Sequence, residues 1–304
     1  LTGAALVFAT FTASFRNPWT SLASMGVARG AAGVATANGR LYIIGGDTNS
    51  FTRSRIVEQY DPATNQWSFK ASMPTARRGL GAASVNGIVY AVGGEGSDFS
   101  RLSTVEAYDP ATDTWSSKPP MPTARNFPAV VAVNGLLYVI GGVSESGDNT
   151  DAVEVYDPAT NAWSSRAPMI SARQAAGVAA VGSAIYVFGG IAVPAGDPTS
   201  DVFVYDIATD AWTRKIGFHS RSYLGAAAVN NVIYVLGGLG PSESGEAGLN
   251  DAYDVTTGTW SSKPGMPTPR YMAGVTAING VVYTVGGFAN TGNRATRTLE
   301  AYRP

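Results

Sequence analysis

The sequence predicts an all-β protein assembled from six copies of one unit, and three periodic markers carry that expectation. A diglycine recurs as Gly45-Gly46, Gly93-Gly94, Gly141-Gly142, Gly189-Gly190, Gly237-Gly238 and Gly286-Gly287, at successive spacings of 48, 48, 48, 48 and 49 residues. A tyrosine stands three residues ahead of each first glycine (Tyr42, Tyr90, Tyr138, Tyr186, Tyr234, Tyr283), and a second series follows at Tyr60, Tyr108, Tyr156, Tyr205, Tyr253 and Tyr302. All six tryptophans, Trp19, Trp67, Trp115, Trp163, Trp212 and Trp260, keep the same period.

Each unit reads as four short strands. In the first, residues 31–37 are an apolar run suited to a strand buried on both faces. Asn38-Gly39 supplies the positive φ of a two-residue hairpin turn, and Asn86-Gly87, Asn134-Gly135 and Asn279-Gly280 repeat it, with Gly182-Ser183 and Asn230-Asn231 as variants. Residues 41–44 make a second strand ending at the diglycine, where missing side chains allow close backbone approach. Residues 55–60 make a third. Asp61-Pro62-Ala63-Thr64 then turns the chain, with proline pre-set at the second turn position, and the fourth strand begins near Trp67.

The diglycine with its spaced tyrosine and tryptophan, six times over most of the chain, resembles the kelch repeat. The resemblance implies a six-bladed β-propeller of four-stranded blades around a central channel. The ends fit that count. Trp19 has no repeat of its own, and the sixth repeat stops at Tyr302-Arg303-Pro304 before any tryptophan. An N-terminal strand around residues 18–25 is therefore expected to complete the C-terminal blade, leaving no open edge between the chain ends. The organisation expected is an apolar arm, residues 1–16, followed by the propeller, residues 17–304.

Composition narrows the function. The chain carries 21 basic and 22 acidic residues, only 14% charged in all, so the basic excess of a nucleic-acid binder is missing. A surface with so little charge suits a secreted or cell-surface protein. Without cysteine, disulfides, thiolate metal sites and cysteine nucleophiles are excluded. No apolar run reaches the roughly 18 residues of a membrane span. The single histidine, His219, provides neither a metal cluster nor a Ser-His-Asp set. The copper oxidases that contain kelch repeats use a Cys–Tyr crosslink and two histidines, which this chain lacks. Glu145, Asp148, Glu243 and Glu246 are loop carboxylates whose spacing selects no acid/base pair. No catalytic residue, metal or cofactor is expected.

The repeated aromatics read as packing between blades rather than as a binding array, and the aspartate of each Tyr-Asp turn as a turn residue. An arginine also repeats, at Arg29, Arg77, Arg125, Arg173, Arg221 and Arg270. A carboxylate recurs two residues before the second tyrosine, at Glu58, Glu106, Glu154, Asp251 and Glu300, with Phe203 breaking the series. Arginine–carboxylate pairing is expected to tie neighbouring strands. Arg221, placed next to the break, is the arginine expected to be free.

Ligands of kelch adaptor propellers dock on the face formed by the loops after the diglycine and the residues leading into the inner strand. By that resemblance the positions here are Gly30, Arg78, Asn126, Gln174, Ser222 and Tyr271, each following a repeat arginine. Those following the diglycines are Asp47, Glu95, Val143, Ile191, Leu239 and Phe288. The candidate binding face is Arg78, Asn126, Gln174, Ser222, Tyr271, Asp47, Glu95 and Phe288, with Arg221.

In the arm, Val7, Ala9, Phe11, Ala13 and Phe15 alternate with Phe8, Thr10, Thr12 and Ser14, which is the pattern of a strand. The competing reading makes it the end of a signal peptide, with Thr12-Ala13-Ser14 as a small-residue cleavage site. As a strand it would extend its own blade or pair with a second molecule, building a filament. The preferred function is a non-enzymatic extracellular interaction or structural module, self-assembling through this arm, with protein, self or other, as its partner. The alternative is a peptide- or glycan-binding propeller using the loop face, favoured by exposed aromatics around Tyr271 and Phe288.

Overall fold

The computed structural model describes residues 17–50, 52–192, 196–241, 246–289 and 294–304. The arm residues Val7, Phe8, Ala9, Phe11, Ala13 and Phe15 lie outside them, as does Glu243.

Six four-stranded antiparallel sheets form the blades of a β-propeller. The first comprises Gly33–Ala37, Arg40–Ile44, Val57–Asp61 and Gln66–Lys70 from the centre outward. The next four repeat that order in sequence. The sixth takes Gly274–Ile278, Val281–Val285 and Leu299–Tyr302 from the C-terminus and Trp19–Ser21 as its outermost strand. The expected closure is therefore present, with Trp19 opposite Tyr302 and Ser21 opposite Glu300. The regular strand is shorter than residues 18–25, but backbone pairing continues through Leu22 to the Leu299 carbonyl and Met25 to the Arg297 carbonyl. No helix among the described residues is long and apolar enough to cross a membrane.

The hairpin turns are as read: Asn38 and Gly39 have φ of 50° and 71°, the mirror-image turn that matches strand twist. The innermost strand starts later than expected, at Gly33 rather than residue 31. Ala31 is left-handed, at φ 52°, and so are its counterparts Gly79, Phe127, Ala175, Tyr223 and Met272. Their amides and carbonyls leave the blades and pair around the axis instead. Ala31 N donates to the Met272 carbonyl, Gly79 to Ala31, Phe127 to Gly79, Ala175 to Phe127, Tyr223 to Ala175 and Met272 to Tyr223, at 2.6–3.3 Å. These six bonds close a hoop at one mouth of the channel. Left-handed backbone at bulky residues costs of order 1 kcal/mol each, so the hoop persists because the ring over-determines it.

Aromatic pairs occupy every seam between blades. The first tyrosine of one blade meets the second tyrosine of the next: Tyr42 with Tyr108, Tyr90 with Tyr156, Tyr138 with Tyr205, Tyr186 with Tyr253, Tyr234 with Tyr302 and Tyr283 with Tyr60, at 5.4–6.2 Å between ring centres. Each tryptophan Nε1 donates to a backbone carbonyl of the connection leaving the preceding blade, as Trp67 does to Ala23 and Trp19 to Pro264. The aromatic array is packing, as its period implied. Below the hoop, three residues from each inner strand enclose a channel of about 300 Å³ lined almost entirely by Val and Ala, with Thr36, Ser84 and Thr276 as its hydroxyls.

Candidate functional site at the channel mouth

The repeat arginines are structural. Arg29, Arg77, Arg125 and Arg270 are fully buried and pair with Glu58, Glu106, Glu154 and Glu300 at 2.5–3.0 Å. Burial pulls the pKa of Arg29 down to about 10, against the attraction of Glu58, so it remains a cation at neutral pH. Arg221 is not free, contrary to expectation: it bonds the buried carboxylate of Asp251 at 2.5 Å, which also takes His219 at 2.9 Å. Each arginine reaches the third strand of its own blade, 29 or 30 residues ahead. Phe203 therefore faces Arg173, whose guanidinium lies 3.9 Å from the ring centre and reaches Asp201 at 3.4 Å. A cation over an aromatic face replaces the missing carboxylate.

Around the hoop, the residue after each arginine pairs with the residue after the diglycine of its own blade. Gly30 bridges Asp47, Arg78 bridges Glu95, and Ser222 bridges Leu239. Asn126 lies opposite Val143, Gln174 opposite Ile191 and Tyr271 opposite Phe288. The two sets chosen from sequence thus form one continuous ring of cross-strand pairs.

These side chains also reach the neighbouring blade. Arg78 bonds Glu95 of its own blade at 3.0 Å and Asp47 of the first at 2.8 Å. Burial works against the Arg78 cation, but the hydrogen bonds and charges of the two carboxylates outweigh it and raise its pKa. Asn126 donates to Glu95 at 3.1 Å. Arg53, which sequence reasoning missed, bonds both Glu95 and Asp47 and carries the exposed ring of Phe99 against its guanidinium at 4.7 Å. Its signal was available: Arg53 and Arg101 sit one repeat apart and bridge Asp47 and Glu95 in the same way.

The opposite side of the mouth is aromatic. Phe127 meets Tyr223 edge-on at 5.5 Å, Tyr223 meets Tyr271 at 6.5 Å, and Tyr271 meets Phe288 at 5.7 Å. The exposed Tyr271–Phe288 cluster expected of a glycan site is not formed. Phe288 is only 7% exposed because its ring lies across Gly30, where a Cβ would be 2.3 Å away. Asp47, Glu95, Asn126 and Ser222 are buried as well, while Arg78, Gln174 and Tyr271 are partly open. The six hoop residues themselves, Phe127, Tyr223 and Met272 among them, line a hollow of about 100 Å³ together with Leu80 and Leu224. Among the described residues no group of His, Cys, Asp and Glu could hold a metal ion.

Comparison with known proteins agrees with this architecture. The KLHDC2/KLHL20/DRC7 Kelch-repeats domain matches residues 5–177, and the Kelch motif matches residues 172–215, 220–267 and 269–304. The chain belongs to the kelch-repeat family. Its structure superposes on that of YjhT with a TM-score of 0.79 at 18% identity, covering 90% of this chain and 95% of the other, a likeness of fold. Curated proteins contain no match. Kelch propellers are in general protein-binding scaffolds, and this chain has that architecture.

Proposed function

We propose that this kelch propeller is a non-enzymatic interaction module that binds a segment of a partner protein across the channel mouth. The observation that carries the reading is the ring of cross-strand pairs: twelve repeat positions converge on one rigid rim, and they differ in chemistry from blade to blade. Arg78, held by the buried Asp47, Glu95 and Arg53, offers a charged half, and Phe127, Tyr223 and Tyr271 an aromatic half. Variable side chains on a rigid frame are where recognition resides, and arginine with tyrosine dominates binding energy at interfaces. A peptide is favoured over a glycan because Phe288, one of the two rings a sugar would stack on, is covered.

Peptides selected against the intact chain from a random display library provide the test. Arg78→Ala and Tyr271→Ala are each expected to weaken selected peptides by roughly tenfold or more, whereas Thr64→Ala, in a turn at the other end of the first blade, leaves them unchanged. Peptides indifferent to both rim substitutions would refute the reading. An extracellular setting, supported by the low surface charge, and self-assembly through residues 1–16 belong to the same proposal. Light scattering on the chain with and without residues 1–15 tests assembly, and a monomer at high concentration in both cases removes that part.

A further inference from the structure

On the outer side of the seams a second repeated device appears. Two residues before the tryptophan, a short polar side chain in left-handed backbone bolts its blade to the one before. Asp113 (φ 55°) accepts from the Tyr108 hydroxyl at 2.6 Å and from the amide of Ala71 at 2.9 Å. Asp210 does the same with Tyr205 at 2.5 Å and Ala167 at 2.9 Å, and Asn65 with Tyr60 and Ala23, both at 2.9 Å. At Asn161 the tyrosine bond remains, and Pro119 stands where the amide would be.

A cation completes the two aspartate seams. Lys70 and Arg166, each immediately before the donating amide, attract Asp113 and Asp210 respectively. The tyrosine hydrogen bond first, then the amide and the cation, hold both carboxyls below their ordinary pKa. Tyrosine hydroxyl, backbone amide and cation thus form a working receptor for an ionised carboxylate.

The seam between the fourth and fifth blades keeps the receptor and lacks the carboxylate. Gly258 (φ 70°) occupies the position, and a Cβ there would lie 3.7 Å from the Tyr253 hydroxyl. Tyr253 packs its ring in the seam and leaves its hydroxyl open, with no hydrogen-bond partner among the described residues, and the amide of the exposed Ile216 has none either. The Ile216 carbonyl accepts from Trp260 Nε1 at 3.1 Å, as the Ala71 carbonyl does from Trp115 at 2.8 Å, so the peptide is placed as in the sister seam. Lys215 precedes Ile216 as Lys70 precedes Ala71. A groove of about 510 Å³ lies beside Gly258, lined by Tyr253 and Lys215 together with Tyr186, Thr213, Thr256 and Thr257. Asp206 faces it, with its Oδ1 engaged by the amides of Ala208 and Thr209.

We propose that this seam binds a carboxylate carried by an external molecule, seated against the Tyr253 hydroxyl, the Ile216 amide and the Lys215 ammonium. The carboxylate comes from a small free acid or from an acidic side chain of a peptide. The groove has room for several atoms beyond the carboxylate itself.

The test uses the intact chain, its thermal midpoint and its affinity for two probes. The first is sodium acetate against sodium chloride at equal ionic strength. The second is a Gly-Ser-Asp-Ser-Gly peptide against its Asn counterpart. Acetate at ten times its dissociation constant should raise the wild-type midpoint by about 2–4 °C, saturably. Tyr253→Phe keeps the ring packing and should weaken binding roughly tenfold. Gly258→Asp supplies the missing carboxylate in a backbone conformation that Asp113 and Asp210 already adopt. It should raise the midpoint without ligand and abolish the response to either probe. Tighter binding of the Asp peptide than of acetate assigns the site to peptides, and no gain over acetate assigns it to small acids. The proposal is overturned if wild type and Gly258→Asp respond alike to both probes.

Discussion

Each repeat arginine is a cation taken out of water and given one carboxylate, and at that scale the partner is everything. Arg77 is fully buried, bonds Glu106 at 2.7 Å and the Ala91 carbonyl at 3.0 Å, and Thr75 donates to the other Glu106 oxygen at 2.8 Å. Glu106→Gln leaves the shape nearly unchanged and strands the charge. We expect it to cost about 3–5 kcal/mol in denaturant unfolding, whereas an exposed pair is worth under about 1 kcal/mol. A midpoint shift equivalent to an exposed pair would show that water reaches the guanidinium. The existence of these pairs was legible from two series of the same period. Their register was not, because Phe203 could be assigned to Arg173 or Arg221 until the third strand was placed opposite its arginine.

At the scale of the blade, the seams between neighbours are tyrosine against tyrosine, with tryptophan donating to the backbone beside them. Burial raises the pKa of all twelve repeat tyrosines, that of Tyr60 to about 12. A tyrosine raised in the folded state keeps its proton where the unfolded chain has lost it. The stability it contributes is complete below pH 10 and is lost as pH rises towards 12. Arg29, Arg77, Arg125, Arg173 and Arg270 are shifted down and act in the opposite sense over the same range, but they are five against twelve. The thermal midpoint should therefore fall above pH 10, with tyrosinate absorbance appearing together with unfolding rather than before it. Tyrosinate signal at the ordinary pH with the fold intact would contradict the burial. Sequence alone placed these rings between blades, since a side chain repeated in every unit has to meet its own image at every seam. It did not separate the fourth seam from the others. Gly258 reads as an ordinary turn glycine until Asp113 and Asp210 are seen doing the work it omits.

Over the whole molecule the outermost strand Trp19–Ser21 joins chain ends 279 to 283 residues apart in sequence, Ser21 to Glu300 and Trp19 to Tyr302. It gives the last blade its fourth strand, and Trp19 packs on Tyr302 at 5.1 Å while bonding the Pro264 carbonyl at 2.7 Å. Removing residues 17–25 exposes the edge of Leu299–Tyr302 and one aromatic seam. The melting transition should drop or lose its cooperativity. An unchanged midpoint would mean that the hoop at the channel mouth holds the ring by itself.

That hoop separates what the sequence determined from what the tertiary structure decided. Unit number, strand order, turn type, ring closure and the structural role of the aromatics all follow from the period, because each is a property of one repeat or of its copy. The ring of residues after the arginines and diglycines was also found, as two sets of positions. Only the folded ring shows that the sets pair with one another, that Arg53 joins them, and that most of these side chains are buried. The left-handed Phe127, Tyr223 and Met272 have no local turn signal, since their hydrogen bonds go to neighbouring blades about 48 residues away in sequence. The arginine partners, the covered Phe288 and the open receptor at Gly258 share that cause. Each is settled by which atoms the closed ring brings opposite one another, and a repeat read singly contains no such information.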